Sequence, residues 1–161
     1  MKKIYLDILS LTATEKITLI LSLSTLFLSL FFPAFYIDRP ENPAAWSNSF
    51  MLFFFGWTFP LGGAFIPFCF WLANPIYIMS IILIIRKKVN GFYFSFIPVC
   101  IAIIFSQMES IMASESGSNT DITSLELGYK LWLTSFAVLA CGSLLTLSKR
   151  KKTAYNSGLV Q

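Results

Sequence analysis

The sequence predicts an all-α polytopic membrane protein with four transmembrane helices and one further helix that lies in the outer interface or re-enters the membrane. The 161 residues are 56% hydrophobic and include 17 Phe against eight acidic residues. Their mean hydropathy is +0.71, whereas soluble domains are about 45–50% apolar. The basic residues, in addition, gather at the ends of long uncharged stretches, as they do in proteins that follow the positive-inside rule.

Ten of the twelve basic residues lie in three clusters, and these clusters determine the predicted orientation. If all three face the cytoplasm, that side carries ten cations and two acids, and the outer side carries two cations and six acids. This bias predicts a multi-pass protein with both termini in the cytoplasm. Because the clusters flank apolar runs, they indicate contact with anionic lipid and not with nucleic acid. The clusters are Lys2, Lys3 and Lys16; Arg86, Lys87 and Lys88; and Lys149, Arg150, Lys151 and Lys152.

The first span is predicted over residues 17–37. Thr12 and Glu15 have the spacing of a capping box, in which a hydroxyl and a carboxylate pair with the free amides of a helix start. The apolar run that follows is longer than the hydrophobic region of a secretory signal peptide, which has about 7–15 residues, and no cleavage motif of small residues follows it. We therefore expect a retained span that Pro33 bends or ends.

Residues 50–85 form an uncharged stretch of 36 residues. As one straight helix this stretch would be about 54 Å long, against a hydrocarbon core of about 30 Å. Two short crossings are one alternative, but they would place Arg86 and its neighbours outside. The charge bias therefore favours a single second span over 64–85.

The excess length is predicted to form the non-spanning helix, over about 43–58. Asn42 followed by Pro43 is a good N-cap and first-turn pair for such a helix. A break before the second span is expected because prolines and glycines follow this helix. These residues are Pro60, Gly62 and Gly63.

The remaining spans are predicted over 92–108 and 127–147. Asn90-Gly91 is a turn dipeptide and is expected to precede the third span. The most polar stretch of the chain, 114–121, is expected to be an exposed outer loop between the two spans.

Asn74-Pro75 lies inside the predicted second span and is the first candidate site. Counted from Arg86, Pro75 lies about 16 Å into the span, near the midplane of a core about 30 Å thick. Helices broken at this depth bind substrates or ions in transporters. The more common alternative is a proline kink in which Asn74 hydrogen-bonds the local backbone or a neighbouring helix. Cys100 and Ser135 fall near the same depth and could complete a small polar layer.

Glu109 and Lys130 form the second candidate pair. They lie at the predicted outer ends of the third and fourth spans, where an ion pair would hold the two helices in register. The alternative is a lone acid at an outer mouth. No acid lies deep in a predicted span, which argues against pumps and proton-coupled transporters because these need ionisable groups inside the membrane.

No catalytic residue, cofactor or metal site is predicted. The chain has no histidine, which removes the commonest general base and transition-metal ligand. Its three cysteines all lie in apolar stretches, and an odd number in this setting argues against disulfides and zinc. Hydrolase, phosphate-loop and dinucleotide motifs are also missing from the sequence.

Two stretches resemble segments of a family of small, uncharacterised bacterial inner-membrane proteins with four spans. They are Trp71-Leu72-Ala73-Asn74-Pro75 and Gly128-Tyr129-Lys130-Leu131-Trp132-Leu133-Thr134-Ser135, the second followed by Gly142-Ser143-Leu144-Leu145. The resemblance covers roughly residues 56–147. It implies a bacterial source and the four-span arrangement, and it carries no activity with it.

The function predicted from these features is non-enzymatic. We expect a single helical membrane domain over 1–152 with a cytoplasmic tail over 153–161. It would lie in the bacterial cytoplasmic membrane and act on another membrane protein, or on copies of itself, as an accessory or immunity-like protein. The alternative is a small oligomeric transporter or channel with a site at the broken second span.

Overall fold

The computed structural model describes residues 7, 9–112 and 118–156, with the backbone alone for 149–156, and it is mostly helical with one small sheet. Two of the described helical segments, Phe65–Ile85 and Leu127–Ser148, are long and apolar enough to cross a membrane. The elements in chain order are α1 (Ala13–Ser29), β1 (Phe35–Ile37), α2 (Ser49–Phe55), a 3-10 helix (Gly56–Gly62), α3 (Phe65–Trp71), α4 (Ala73–Ile85), α5 (Asn90–Phe105), β2 (Ser110–Met112), β3 (Asn119–Leu125) and α6 (Leu127–Asn156).

Helix α1 begins at the predicted capping box. Thr12 Oγ1 accepts a hydrogen bond from Glu15 N at 3.3 Å, and Glu15 Oε2 accepts one from Thr12 N at 2.8 Å. The helix then runs Ala13–Ser29, so the predicted capping box is confirmed, while the helical span predicted over 17–37 ends at residue 29. The capping box sets the start, and strand pairing sets the earlier end.

The strands form an antiparallel sheet in the order β1-β3-β2, so the prediction of an all-α chain is wrong here. Apolar Phe35 and Ile37 pair into this sheet and are buried, with 2% and 1% of their surfaces exposed. Most of the described part of the predicted outer loop over 114–121 belongs to β3, which starts at Asn119. Residues 114–117 of that prediction lie outside the described residues.

The predicted non-spanning helix over 43–58 begins later than expected. Pro43 starts no helix, because its carbonyl oxygen accepts a hydrogen bond from Ile37 N at 2.9 Å and this stretch covers the edge of β1. The N-cap of α2 is instead Asn48, whose Oδ1 accepts a hydrogen bond from Met51 N at 3.1 Å.

The break before the second apolar segment falls where the sequence predicts it. The 3-10 helix ends at Gly62, and Gly63 adopts a left-handed conformation with φ of 80°, which glycine adopts without strain. Helices α3 and α4 then follow with an interruption at Leu72, and together they match the predicted segment 64–85.

Helix α5 starts inside the predicted turn, since Asn90 and Gly91 are its first two residues. Gly91 is buried, and a Cβ there would lie 2.8 Å from Ile84 N. The missing side chain therefore lets α5 pack closely against α4. The helix ends at Phe105 and not at 108 as predicted, because the following residues lead into β2.

Helix α6 extends past its predicted end. Its apolar part agrees with the predicted segment 127–147, but the helix continues through the last basic cluster to Asn156. The predicted tail is therefore helical over 153–156, and 157–161 lie outside the described residues.

The helices α1, α3–α4, α5 and α6 pack side by side. Two contacts show that α1 and α6 are antiparallel: Thr18 lies against Gly142, and Ser22 Oγ donates to the Ser135 carbonyl at 2.7 Å. The core between the helices is formed by buried apolar side chains. They are Leu11, Leu19, Leu26, Ala73, Tyr77, Ile81, Ala102, Phe136 and Leu139.

The ends of the helices that carry the cation clusters lie together. Lys87 Nζ donates to the Ser10 carbonyl at 2.8 Å, which joins the α4–α5 connection to the residues before α1. Since α6 is antiparallel to α1, its C-terminal part lies at the same end of the bundle. The sheet lies at the other end, where Phe35, Phe105 and Tyr129 form a second core beneath it.

Gly142→Ala is expected to lower the free energy of unfolding by about 1–3 kcal/mol, as overpacking does. An added Cβ would lie 2.7 Å from Thr18 Cβ, so α1 and α6 would have to separate. Gly62→Ala is the matched control because an added Cβ there meets nothing within 4 Å. Unfolding in detergent, followed by circular dichroism, measures both changes, and equal stability of the two variants would contradict the close approach.

Candidate functional site

Asn74 is buried between α4 and α6, with 6% of its surface exposed. Its Oδ1 accepts a hydrogen bond from Trp132 Nε1 at 2.8 Å. Because an indole N–H can only donate, this contact fixes which atom of the Asn74 amide is the oxygen. The amide nitrogen, Nδ2, then points away from Trp132, and it makes no hydrogen bond to any described residue.

Pro75 is exposed and lies about one helical turn after Leu72, where α3 and α4 are interrupted. Proline has no N–H, so the Trp71 carbonyl loses the helical partner that residue 75 would supply. Helix α3 ends at Trp71, and the Trp71 Nε1 donates to the Phe53 carbonyl at 2.8 Å. The break therefore allows the second segment to be tied to α2.

A chain of buried hydroxyls lies one turn further along α4. Ser22 Oγ lies 2.6 Å from Tyr77 Oη and donates its proton to the Ser135 carbonyl, so the Tyr77 hydroxyl is the donor to Ser22. The prediction of a polar layer is therefore wrong for Cys100, which is exposed on α5. Ser135 is buried in this layer, but Ser22 and Tyr77 are its partners.

Glu109 and Lys130 are both exposed and do not form the predicted ion pair. The backbone explains the difference, because Glu109 joins the sheet and its carbonyl accepts a hydrogen bond from Ile122 N at 2.8 Å. Lys130 lies in the first turn of α6. The two residues belong to the exposed surface near the sheet and not to the buried site around Asn74.

A cavity of about 90 Å³ lies between the bundle and the sheet, and Asn74 forms part of its wall. Residues of the helices α1 to α6 line the cavity, together with residues of the 3-10 helix, β1 and β2. The wall also includes Ser49, Phe53, Phe70, Trp71 and Trp132.

Ser49 is the second polar residue in this wall. It is the first residue of α2 and has 9% of its surface exposed, and its buried Oγ has no hydrogen-bond partner among the described residues. Gly128 of α6 makes room for it, because a Cβ on Gly128 would lie 2.5 Å from Ser49 Oγ. The Ser49 hydroxyl is therefore packed against the α6 backbone, beside the carbonyl oxygens of Phe32 and Pro33.

A larger depression adjoins the cavity on the side of β2. It has a volume of about 450 Å³ and shares Pro67, Phe70, Phe105 and Ile111 with the cavity wall. Pockets of about 300–1,000 Å³ with apolar walls and a few polar groups are typical of sites for small molecules. We call the two spaces together the cap pocket.

The described residues that line the cap pocket carry no charge, and in the same part of the chain no group of three or more side chains is suited to a metal ion. The described wall is apolar and largely aromatic. Comparison with protein-family models, with curated proteins and with solved structures finds no match for this chain.

The sequence indicated Asn74 but not the rest of this site. By sequence, Trp132 near the predicted end of a span is typical of an interfacial aromatic residue, and no pattern marks Ser49. Both become part of the site through contacts between elements far apart in the chain. Asn74 and Trp132 are 58 positions apart in the chain, and no pattern in the sequence between them predicts their contact.

Trp132→Phe is expected to lower the free energy of unfolding by about 1–3 kcal/mol, because it leaves the buried Asn74 Oδ1 without its donor. Trp57→Phe is the matched control, since Trp57 is 55% exposed. If the lost hydrogen bond is the cause, adding Asn74→Leu to Trp132→Phe restores part of the stability. Chemical unfolding in detergent compares the four proteins, and a Trp132→Phe variant as stable as the control would contradict the role of this bond.

Proposed function

We propose that this chain is a four-span protein of the bacterial cytoplasmic membrane that is non-enzymatic and acts by binding another membrane protein. Membership in the four-span inner-membrane family that it resembles is part of this proposal. The main support for this proposal is that side chains fill the interior of the bundle, while the end that bears the sheet is exposed to solvent.

Four spans are supported by the distribution of exposed apolar side chains. Two helical segments have the length and composition of a span, while α1 and α5 are shorter, about 25 Å each at 1.5 Å per residue. Shorter apolar helices are accommodated by local thinning of the bilayer. Large apolar residues are exposed on all four segments, which is expected where lipid is the solvent. They include Ile20 and Phe27 on α1, Ile78 and Met79 on α4, Ile103 and Ile104 on α5, and Leu144 and Leu145 on α6.

A cytoplasmic location of both termini is supported by the shared position of the cationic ends. Lys16, Arg86, Lys87 and Lys88 lie at the end of the bundle opposite the sheet. The positive-inside rule assigns such an end to the cytoplasm. The acidic Asp38, Glu41, Glu109 and Asp121, all exposed, then lie on the outer side.

The filled interior favours binding over transport. Tyr77 and Phe136 have no exposed surface, and their rings contact each other at a centroid distance of 5.0 Å. The hydrogen bond of Asn74 to Trp132 occupies the amide oxygen that a broken-helix site would offer to a cation. A transporter would need a polar path through the middle of the bundle. The packing of these residues does not support such a path.

The outer end offers a surface for a protein partner, which we call the outer cap: residues 35–48, 109–112 and 119–126. Along β3 the side chains of Asn119, Asp121 and Thr123 are exposed, and the strand is held by pairing on both sides. A rigid polar surface at the membrane boundary loses little conformational entropy when it binds.

The orientation predicts the labelling of two single-cysteine variants made in a background with Cys69, Cys100 and Cys141 replaced by alanine. Thr123→Cys is expected to react with a membrane-impermeant maleimide in intact cells, and Val89→Cys only after the membrane is opened. Both positions are exposed, so unequal access reports the membrane side. Labelling of Val89→Cys in intact cells would overturn the four-span arrangement.

The interaction hypothesis predicts that charge substitutions on the outer cap weaken partner capture. Thr123→Lys is expected to reduce about tenfold the amount of stoichiometric partner that is recovered in mild detergent. A loss of about 1.4 kcal/mol in the free energy of binding has this effect. Asn90→Lys is the matched control, since it adds the same charge at an exposed position at the opposite end. Equal loss in both variants, or recovery of this chain without a partner, would contradict the hypothesis.

A further inference from the structure

We propose that α2 and the 3-10 helix, residues 49–62, lie inside the outer half of the bilayer, and that the exposed face of α2 binds the acyl chains of outer-leaflet lipids. This inference rests on the proposed location in the membrane. Of the two positions that the sequence leaves open for the non-spanning helix, it selects the re-entrant one. It assigns a lipid-binding surface to a segment outside the partner-binding outer cap.

Both ends of α2 contact the two segments that are long enough to span the membrane. At its start, Ser49 Oγ lies 2.5 Å from where a Cβ on Gly128 of α6 would be. Near its end, the Phe53 carbonyl accepts a hydrogen bond from Trp71 Nε1 at 2.8 Å, and a Cβ on Gly56 would overlap the Trp71 ring. The helix is therefore attached to residues that lie within both segments.

The position of Trp71 gives the depth of α2. The segment Phe65–Ile85 has 21 residues, which is about 32 Å at 1.5 Å per residue and matches a hydrocarbon core of about 30 Å. With Arg86 at the inner boundary, Phe65 lies at the outer boundary and Trp71 about 9 Å inside it. Because half of the core is about 15 Å thick, the contacts of α2 with Trp71 fall within the outer half.

The side of α2 that faces away from the bundle is as apolar as the side that packs against it. No charged side chain lies between Glu41 and Arg86. The outward side consists of large apolar residues with between 47% and 55% of their surfaces exposed. They are Phe50, Met51, Phe54 and Phe55. A helix at the membrane surface has a polar face, whereas a helix that is apolar all round is buried in a core or in a membrane. The outward side of α2 therefore faces acyl chains and not water.

Hydrogen bonds inside the segment suit this environment, because backbone and hydroxyl groups in hydrocarbon need partners within the protein. Thr58 Oγ1 donates to the Phe55 carbonyl at 2.7 Å, and the Asn48 side chain caps the start of α2. The chain turns at Gly63, two residues before Phe65, at the level where headgroups and water begin. The irregular backbone thus lies at the boundary.

An inserted α2 also holds the outer cap against the membrane. Asn48 belongs to the cap and is followed directly by α2. The cap residue before it is attached to the strand region, since Ala34 N donates to the Ser47 carbonyl at 2.8 Å. A partner of the outer cap therefore contacts it at the level of the lipid headgroups.

The test uses nitroxide spin labels on single-cysteine variants made in the same cysteine-free background, with the intact chain reconstituted in liposomes. Oxygen concentrates in hydrocarbon, whereas a polar nickel chelate stays in water. Phe54→Cys is expected to give an oxygen-to-nickel collision ratio about tenfold above that of Thr123→Cys, because polar molecules are excluded from hydrocarbon. Its ratio should approach that of Ile97→Cys, an exposed position in the middle of α5.

Two further variants test the direction of the segment and guard against a failure to fold. Leu61→Cys, near the turn at the boundary and 82% exposed, is expected to give a ratio between those of Phe54→Cys and Thr123→Cys. Met51→Cys repeats the measurement on the same face as Phe54. A ratio for Phe54→Cys and Met51→Cys equal to that of Thr123→Cys would overturn the proposal. Shielding of both labels from both reagents would overturn it too, since a second protein would then cover the face, as would a higher ratio for Leu61→Cys than for Phe54→Cys.

The same background separates this inference from the proposed function. If Val89→Cys and Thr123→Cys react with the maleimide as expected while Phe54→Cys collides mainly with the nickel chelate, the insertion of α2 is wrong and the four-span arrangement stands. If Val89→Cys is labelled in intact cells, the membrane arrangement fails and the insertion of α2 fails with it.

Discussion

The antiparallel contact between α1 and α6 is the constraint on which the rest of the structure depends. Gly142 allows the Thr18 side chain to lie where a Cβ would otherwise be, and Ser22 Oγ reaches the Ser135 carbonyl at 2.7 Å. Both contacts need the two backbones to be close, and small residues at helix interfaces permit this. The contact fixes the direction of the last helix relative to the first, and therefore which chain ends lie together.

The sheet at the other end follows from this direction. Because α1 ends where α6 begins, the strand that leaves α1 and the strand that enters α6 are neighbours, and Glu126 N donates to the Ala34 carbonyl at 2.9 Å beside them. Once β1 and β3 are paired, β2 adds to the free side of β3. The covered end of the bundle then holds α2 and α3 against α6, and the cavity with Ser49 and Asn74 lies between them.

The helices could be predicted from the sequence where a local signal acts alone. The Thr12 capping box and the break at Gly63 are such signals, and the structure confirms both. The errors occur where long-range pairing overrides the local pattern: apolar Phe35–Ile37 continues a helical run in the sequence but pairs with β3. Asn90-Gly91 is a turn dipeptide by composition, yet the close packing of Gly91 on Ile84 places it inside α5. The partner of Asn74 could not be predicted because helix rotation is not encoded in a single apolar segment.

The buried polar residues show that the folded structure distinguishes side chains that the amino-acid composition cannot distinguish. Most buried serines return their hydroxyl to a carbonyl of their own helix, so at these positions the small size of serine matters more than its polarity. The sequence cannot separate these serines from Ser49, since both kinds lie in apolar surroundings. The fold separates them, because Ser49 starts its helix and Trp132 fixes the Asn74 amide. Both residues belong to the wall of one cavity, and only the folded chain brings them together there.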